Sequence, residues 1–162
     1  MGRKALITGG AGFIGSHVVD LFLSEGWTVD IIDNLASGKR ERLAAGATFH
    51  ELDISSPEAA ALVERGRYDV ICHLAAQIDV RKSVEDPAYD ATVNVLGTLN
   101  LLEAVRRSGA ATRFVFSSTG GAIYGSFAPP PTSEDAGKDP DAPYGITKMT
   151  VEHYLAYYSR VH

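Results

Sequence analysis

Short apolar runs alternate with helical patterns along this chain, from its first residues onward. Apolar and β-branched residues are concentrated in five segments that we predict as strands, namely Lys4–Thr8, Thr28–Asp33, Ala47–Leu52, Asp69–Leu74 and Arg113–Ser117. Apolar residues at helical spacing predict helices between and after them, over Phe13–Ser24, Lys39–Ala45, Ser56–Arg65, Asp90–Arg107 and Tyr144–His162. This alternation predicts an α/β fold: a doubly wound parallel sheet of the Rossmann type with helices on both faces.

One segment, Gly125–Pro143, departs from the alternation. It holds five of the seven prolines and has neither a strand nor a helix pattern. Irregular segments of this length inside a domain are usually functional or disordered. The sequence therefore predicts a loop there, followed directly by the last helix.

Composition narrows the class of protein. The chain has 162 residues, of which 45% are hydrophobic and 22% charged, as in an ordinary soluble domain. A formal net charge of −5 gives no basic surplus for binding nucleic acid, and no apolar run is long enough to span a membrane. The single cysteine and the scattered histidines indicate neither a disulfide framework nor a metal site. We therefore predict a cytoplasmic protein without a nucleic-acid or membrane partner.

The glycines after the first predicted strand carry the strongest local signal. Gly9, Gly12 and Gly15 have the spacing G-x-x-G-x-x-G and lie between a predicted strand and a predicted helix. In that context the first glycine permits a tight turn, the second lets the backbone approach a pyrophosphate, and the third lets the helix pack on the strand. The N–H groups at the start of the helix favour a phosphate. Glycines also mark plain turns, so the pattern alone leaves both interpretations open.

Two aspartates follow later strands. Asp33 ends the second predicted strand, 18 residues after Gly15, where an acidic side chain can accept both hydroxyls of an adenosine ribose. The same charge repels a 2′-phosphate and so favours NAD over NADP. Asp53 follows the third predicted strand and could accept a hydrogen bond from the adenine amino group. For either residue the structural alternative is a solvated aspartate in a turn.

The last helix begins with a candidate acid–base pair. Tyr144 and Lys148 are four residues apart and therefore share one helix face. The helix dipole and the ammonium group both favour a phenolate, which predicts a Tyr144 pKa lowered toward neutrality. Thr119 follows the fifth predicted strand and could share a proton with the same substrate oxygen. Taken alone, each of these features is common in proteins that carry no such chemistry.

Together these segments resemble the extended short-chain dehydrogenase/reductase family, and within it the nucleotide-sugar epimerases of the UDP-glucose 4-epimerase type. The matching segments occur in order over nearly the whole chain, and they are TGGAGFIGSH at 8–17, DNLASG at 33–38, ELDI at 51–54, HLAAQ at 73–77, VNVLGTLNLLEA at 93–104, FSSTGGAIYG at 116–125 and PYGITKMTVE at 143–152.

The resemblance implies NAD as a bound cofactor, a nucleotide sugar such as a UDP-hexose as substrate, and epimerisation through oxidation and re-reduction at C4. It implies Tyr144 as the base, Lys148 as the residue that tunes it and holds the nicotinamide ribose, and Thr119 as a support for proton transfer. Ser118, Thr119 and Tyr144 would contact the substrate. The residues implied for cofactor binding are Gly9, Gly12, Phe13, Ile14, Gly15, Asp33, Asn34, Gly38, Asp53, Ile54, Leu74, Ala75, Ala76, Gln77, Asn94, Tyr144 and Lys148.

Two departures from related enzymes bear on the activity. Gly120 and Gly121 stand where the related 4,6-dehydratases carry an acidic pair, which disfavours a dehydratase. Ile78 stands near a position at which some epimerases have a lysine that holds the cofactor. A dehydratase, a decarboxylase, an epimerase of another sugar nucleotide and a non-catalytic NAD-binding module remain the alternatives.

Family members are about twice as long as this chain. We therefore expect residues 1–162 to form the NAD-binding Rossmann domain, with the substrate domain absent from this sequence and the fragment inactive by itself. The predicted helices over 90–107 and 144–162 are apolar on more than one face. The resemblance implies that they form the contact of a homodimer.

Overall fold

Five strands form one parallel sheet in a computed structural model that describes residues 2–126 and 128–162. Their order across the sheet is β3-β2-β1-β4-β5. The strands are β1 (Lys4–Thr8), β2 (Thr28–Asp33), β3 (Thr48–Glu51), β4 (Val70–His73) and β5 (Arg113–Phe116). From β1 the chain adds strands toward one edge and then, from β4, toward the other, so the doubly wound α/β fold is confirmed.

Six α-helices accompany the sheet in the described part of the chain, and they are α1 (Phe13–Ser24), α2 (Pro57–Gly66), α3 (Val80–Glu85), α4 (Pro87–Ala91), α5 (Gly97–Ser108) and α6 (Pro143–Val161). Local sequence explains several helix starts. The Ser56 hydroxyl accepts a hydrogen bond from the N–H of Ala59, and Pro57 occupies the first turn of α2. Asp79 and Asp86 cap α3 and α4 in the same way.

Two helix predictions need correction, and one helix was not predicted. Lys39–Ala45 is not a helix, because only a single 3₁₀ turn forms, at Arg40–Arg42. That segment lies between glycines and is too short for helical hydrogen bonds to offset nucleation. The helix predicted over 90–107 begins earlier, at Pro87, and passes through a π-helical turn at Thr92–Leu96 before α5. Helix α3 was not predicted, although its cap Asp79 is a start signal.

The predicted irregular segment has no helix or strand among its described residues before Pro143, as expected. Phe127, which falls in that prediction, lies outside the described residues. The N–H of Asp139 donates to the carbonyl of Ile123 at 3.1 Å, and the carboxylate of Asp141 accepts from the N–H of Ser126 at 2.5 Å. Hydrogen bonds therefore tie the segment both to itself and to the residues just before it.

The chain divides into two compact units. The first comprises Met1–Ala76 and Leu99–Ser117 and contains the whole sheet, and the second comprises Gln77–Thr98 and Ser118–His162. The core of the first unit is buried and apolar because its central strands are covered on both faces, and it contains Ala5, Ile7, Val19, Val29, Ile31 and Val70. In the second unit α6 packs against α3, α4 and the π-helical turn.

The sheet also holds a buried polar cluster around Asp30 on β2. The Tyr68 hydroxyl donates to the Asp30 carboxylate at 2.6 Å, and the Lys4 ammonium lies 3.0 Å from it. His50 is 3.8 Å away on β3. Burial alone would raise the pKa of Asp30, but these neighbours lower it below its usual value. The pKa of Tyr68, by contrast, is raised, because its hydroxyl is buried and donates to the negatively charged Asp30.

No helix in residues 2–126 and 128–162 combines the length and apolar character needed to cross a membrane. Within the same residues, histidine, cysteine and carboxylate side chains form no group of three suited to a metal ion.

Candidate functional site

The first unit brings the loops after β1 and β4 together where the strand order reverses. Gly9 has a φ of +73°, and a Cβ there would lie 2.8 Å from the backbone nitrogen of Ala75. Only glycine allows both this conformation and this approach. Ligands of doubly wound sheets bind at such a reversal, beyond the carboxyl ends of the strands.

The start of α1 fits a phosphate group. Gly12 is the residue before the helix and has no side chain to cap the first N–H groups. A Cβ on Gly15 would collide with the carbonyl oxygen of Gly9, so the third glycine keeps helix and strand close. Phe13 and Ile14 follow with side chains exposed at 69% and 61%. The free helix N-terminus in a glycine cradle is the arrangement expected for a pyrophosphate.

Thr8, which sequence reasoning did not single out, fixes the loop after β4. Its buried hydroxyl oxygen accepts hydrogen bonds from the N–H groups of Leu74 and Ala75 at 3.2 and 3.1 Å. The same oxygen lies 2.7 Å from Nδ1 of His73. Leu74, Ala75 and Ala76 are partly buried. The backbone of this loop is therefore fixed by Thr8 and remains partly accessible to solvent.

Asp33 lies at the end of β2 beside the glycine loop. One carboxylate oxygen accepts from the N–H of Ala11 at 3.0 Å, and the other accepts from the N–H of Leu35 at 2.8 Å. Each oxygen keeps a second lone pair, which could accept a ribose hydroxyl. A Cβ on Gly38 would lie 2.7 Å from Asp33 Oδ1, so this glycine keeps the space beside the carboxylate open.

Asp53 and Asn34 form a second polar pair in this unit. The Asn34 amide donates to Asp53 at 2.8 Å, and the Ser55 hydroxyl donates to the other oxygen at 2.6 Å. Burial would raise the pKa of Asp53, but the hydrogen bonds from Ser55 and Asn34 lower it. The neighbouring Ile54 is buried, and its carbonyl accepts from the Asn100 amide at 2.8 Å. Sequence reasoning missed Asn100, because its role depends on a partner 46 residues away.

The second unit brings Thr119, Tyr144 and Lys148 together. Tyr144 and Lys148 lie one turn apart in the first turns of α6, and the Thr119 side chain is close enough to Tyr144 to act on its pKa. The Ser83 hydroxyl, on α3, accepts from the N–H of Tyr144 at 3.2 Å and so fixes the start of the helix. Proton transfer at a substrate hydroxyl requires such a positioned phenol and hydroxyl.

The prediction that the pKa of Tyr144 is lowered was wrong for the protein without cofactor or substrate. Burial raises the pKa of Tyr144, the Thr119 side chain offsets only part of that effect, and the charge of Asp90 raises the pKa further. Lys148 is buried, with 3% of its surface exposed. Burial lowers its pKa to about 8, against the charges of Asp90 and Glu152, which raise it. The spacing of Tyr144 and Lys148 predicted that they share a helix face, but it did not predict their burial. Burial decides the direction in which the pKa of each residue is shifted.

A polar cavity of about 440 Å³ lies beside Thr119 and is lined in part by Ser118, Lys138 and Glu152. The Ser118 hydroxyl donates to the Glu152 carboxylate at 2.5 Å, and the Lys138 ammonium pairs with the same group. Burial would raise the pKa of Glu152, but Lys138 and Ser118 lower it. The Ser118 hydroxyl is therefore engaged with Glu152 on α6.

Gln77 and Asn94, both implied for cofactor binding, are buried and bind each other. The Asn94 side chain accepts from the Gln77 N–H at 2.9 Å and donates to the Gln77 carbonyl at 3.1 Å. Asn94 also donates to Asp90 at 3.1 Å. Asn94 thus holds the backbone at Gln77. Asp90 was missed, although Asp90 and Asn94 are a polar pair at helical spacing in an apolar segment.

Comparison with known proteins agrees with these features. The model of the NAD-dependent epimerase/dehydratase family matches residues 5–162. The UDP-glucose 4-epimerase of Mycolicibacterium smegmatis is 42% identical over 164 aligned residues, which cover 98% of this chain and 52% of that protein.

Solved structures match as well. The UDP-glucose 4-epimerase of Thermotoga maritima with UDP-glucose has a TM-score of 0.91 at 45% identity, covering 98% of this chain and 52% of that one. The Thermus thermophilus UDP-glucose 4-epimerase in complex with NAD has a TM-score of 0.88 at 45% identity, covering 98% and 51%. The chain spans about half the length of the relatives it matches. With the glycine cradle and the tyrosine–lysine helix, the match establishes that this chain belongs to the NAD-dependent epimerase/dehydratase family.

Proposed function

We propose that this chain is the NAD-binding portion of a nucleotide-sugar 4-epimerase that interconverts UDP-glucose and UDP-galactose. The observation that carries the proposal is the pair of Tyr144 and the buried Lys148 one turn apart on α6, with Thr119 acting on Tyr144. In a chain of this family, that set is suited to moving a proton at a sugar hydroxyl.

The first unit supplies the residues for NAD. Gly12 and the N–H groups that follow it at the N-terminus of α1 would hold the pyrophosphate. Asp33 accepts hydrogen bonds from the adenosine ribose, and its charge disfavours the 2′-phosphate of NADP. Asp53 accepts from the adenine amino group. The relative from Thermus thermophilus, described in complex with NAD, supports this assignment.

The second unit supplies the acid–base residues. Bound NAD contributes a reversible hydride acceptor for the sugar C4. Tyr144 takes the proton of the 4-hydroxyl and later returns it, while Thr119 hydrogen-bonds the reacting oxygen. The charge of Lys148 stabilises the phenolate form of Tyr144 and its side chain holds the nicotinamide ribose. With a pKa of about 8, Lys148 is mostly charged at pH 7.

A 4-epimerase is favoured over a 4,6-dehydratase. Elimination of water across C5 and C6 needs an acid and a base after Thr119, and this chain has Gly120 and Gly121 there. UDP-glucose as substrate is supported by the Thermotoga maritima relative, whose structure is described with that sugar nucleotide. This substrate would place the protein in galactose metabolism.

A homodimer is part of the proposal. In the second unit Leu96, Tyr154, Tyr157 and Val161 expose between 38% and 58% of their surfaces. They lie within the segments 90–107 and 144–162, for which the family resemblance implies a dimer contact. Light scattering tests the prediction, and a monomer mass at working concentrations would contradict it. The cytoplasmic location stays a prediction that cell fractionation tests.

Native mass spectrometry tests NAD binding directly, and we expect one NAD per chain. Epimerisation is tested by converting UDP-galactose in an NAD-loaded protein extended to the full length of the relatives. In that protein Tyr144→Phe should abolish conversion yet leave NAD bound, whereas Tyr89→Phe, at an exposed tyrosine, should change neither. Normal turnover by Tyr144→Phe would refute the assignment. Stable NAD binding by the full-length protein without reaction of any sugar nucleotide would indicate a non-catalytic module.

A further inference from the structure

The second unit contains a completely buried carboxylate that the proposed chemistry does not use. Asp90, on α4, has 0% of its surface exposed. Its Oδ1 accepts from the Gln77 amide at 2.9 Å and from the Asn94 amide at 3.1 Å. Its Oδ2 lies 2.7 Å from the Thr147 hydroxyl. Burying a carboxylate is costly, so a role in the fold alone would be served as well by a neutral side chain.

The hydrogen-bond partners of Asp90 do not neutralise its charge. Gln77, Asn94 and Thr147 are all uncharged, and they fix the carboxylate while leaving its negative charge in place. Thr147 directly precedes Lys148 on α6, and the charge of Asp90 acts on the buried Lys148. A charge in a poorly solvated interior acts over a longer range than one at the surface.

The other acidic group that acts on Lys148 is differently placed. Glu152 lies one turn further along α6, but it pairs with Lys138 and accepts from Ser118. His153 also acts on Glu152. The negative charge of Glu152 is therefore partly neutralised by its own neighbours, unlike that of Asp90. Of the two acidic groups, Asp90 acts more strongly on Lys148.

We propose that Asp90 is a positioning residue for Lys148: its buried carboxylate, fixed by Gln77, Asn94 and Thr147, is the counter-charge that keeps the Lys148 ammonium on the Tyr144 face of α6. Its use in catalysis rests on the proposed function, because Lys148 must act on Tyr144 there. The electrostatic link itself does not depend on any substrate.

The titration of Lys148 in the cofactor-free chain tests whether the charge of Asp90 acts on the Lys148 ammonium. Lysine Cε signals are followed by ¹³C NMR against pH, with Lys148→Met identifying the resonance. Asp90→Asn should lower the pKa of Lys148 by about one unit or more, because it removes the nearby charge and leaves the burial. Glu152→Gln is the matched control and should lower it less.

A second set of variants keeps the test decisive. Should Asp90→Asn fail to fold, Asp90→Ser removes the charge while leaving a hydroxyl and room for water. Adding Gln77→Glu to Asp90→Asn returns a carboxylate to the partner 2.9 Å away, and we expect it to restore much of the Lys148 titration. Folding of each variant is checked by circular dichroism.

An unchanged Lys148 titration in the folded Asp90→Asn variant would overturn the proposal. Asp90 would then only hold α6 through Thr147, whose hydroxyl lies 3.0 Å from the Tyr144 carbonyl. A second readout, in a protein extended to the full length of the relatives, separates this inference from the proposed function. If that protein epimerises, the alkaline limb of kcat should shift to lower pH in Asp90→Asn. A shifted Lys148 titration without epimerisation by the full-length protein would uphold the effect of Asp90 on Lys148 and refute the function.

Discussion

The carboxylate of Asp33 and the backbone N–H of Ala11 form a 3.0 Å hydrogen bond that joins the end of β2 to the glycine loop. Asp33 therefore shapes the loop as well as offering lone pairs to a ribose. Asp33→Ala should weaken NAD binding about 10- to 100-fold, the usual effect of losing a hydrogen bond to a charged group. It should also narrow the preference for NAD over NADP, because the repulsion of a 2′-phosphate is lost.

Isothermal titration with both dinucleotides measures these effects. Asp20→Asn, at an exposed aspartate on α1, is the control and should bind both as the parent does. An Asp33→Ala protein with the parental preference would show that Asp33 does not face the ribose.

The close contact between Gly15 and Gly9 predicts the effect of a single methyl group. Gly15→Ala puts a Cβ against the Gly9 carbonyl oxygen, so the helix must move away from the strand. We expect about 1–3 kcal/mol less stability toward urea, as for other overpacked sites, together with a loss of NAD binding. Gly137→Ala, whose Cβ would meet no atom within 4 Å, should leave both unchanged. A Gly15→Ala protein as stable as Gly137→Ala would contradict the tight packing.

Asp30 predicts part of the acid sensitivity of the fold. Its neighbours lower its pKa from the usual 3.8. The resulting stabilisation is complete above that value and is lost as the pH falls through the lower pKa of the folded state. Asp30→Asn should therefore flatten the decline of the unfolding free energy below about pH 4. Urea titrations at pH 2.5 to 6 measure it, and a decline as steep as that of the parent protein would exclude Asp30 as a contributor.

Lys148 predicts a pH dependence of the same sign at alkaline pH. Because its pKa is about 8 in the folded protein and 10.5 ordinarily, the unfolded chain binds more protons between these values. Stability contributed through this residue should therefore rise with pH across that range. Tyr68 and Cys72 act the other way, since burial raises the pKa of both groups. The unfolding free energy of the parent minus that of Lys148→Met isolates the effect. A difference that is flat from pH 8 to 10 would contradict it.

Sequence reasoning succeeded where the determinants are local. The run from β1 through Gly9 to α1 contains its own strand, turn and helix signals, and its predicted bounds match the structure. The spacing of Tyr144 and Lys148 likewise predicted that they share a face of the last helix, and both lie on α6; their catalytic roles stay predictions.

It failed where distant segments decide the outcome. The support of Tyr144 by Ser83 spans 61 residues, and that of Asp90 by Thr147 spans 57, so no local pattern contains either. The pKa of Tyr144 was misjudged because burial depends on packing that spacing does not reveal. The short helix α3 was missed because its apolar pattern is too brief, and the next helix was predicted to start at Asp90 instead of Pro87, although the aspartate caps of both helices were visible.

The hydroxyl of Thr8 joins two parts of the first unit through one atom. Its oxygen accepts from the N–H of Ala75 at 3.1 Å and shares the N–H of Leu74 with the Thr8 carbonyl. The same oxygen lies 2.7 Å from Nδ1 of His73, which is buried in β4. A change of Thr8 to valine would therefore remove a hydrogen bond from the loop after β4 and another from a histidine inside the sheet at the same time, although both lie more than 60 residues away in the sequence.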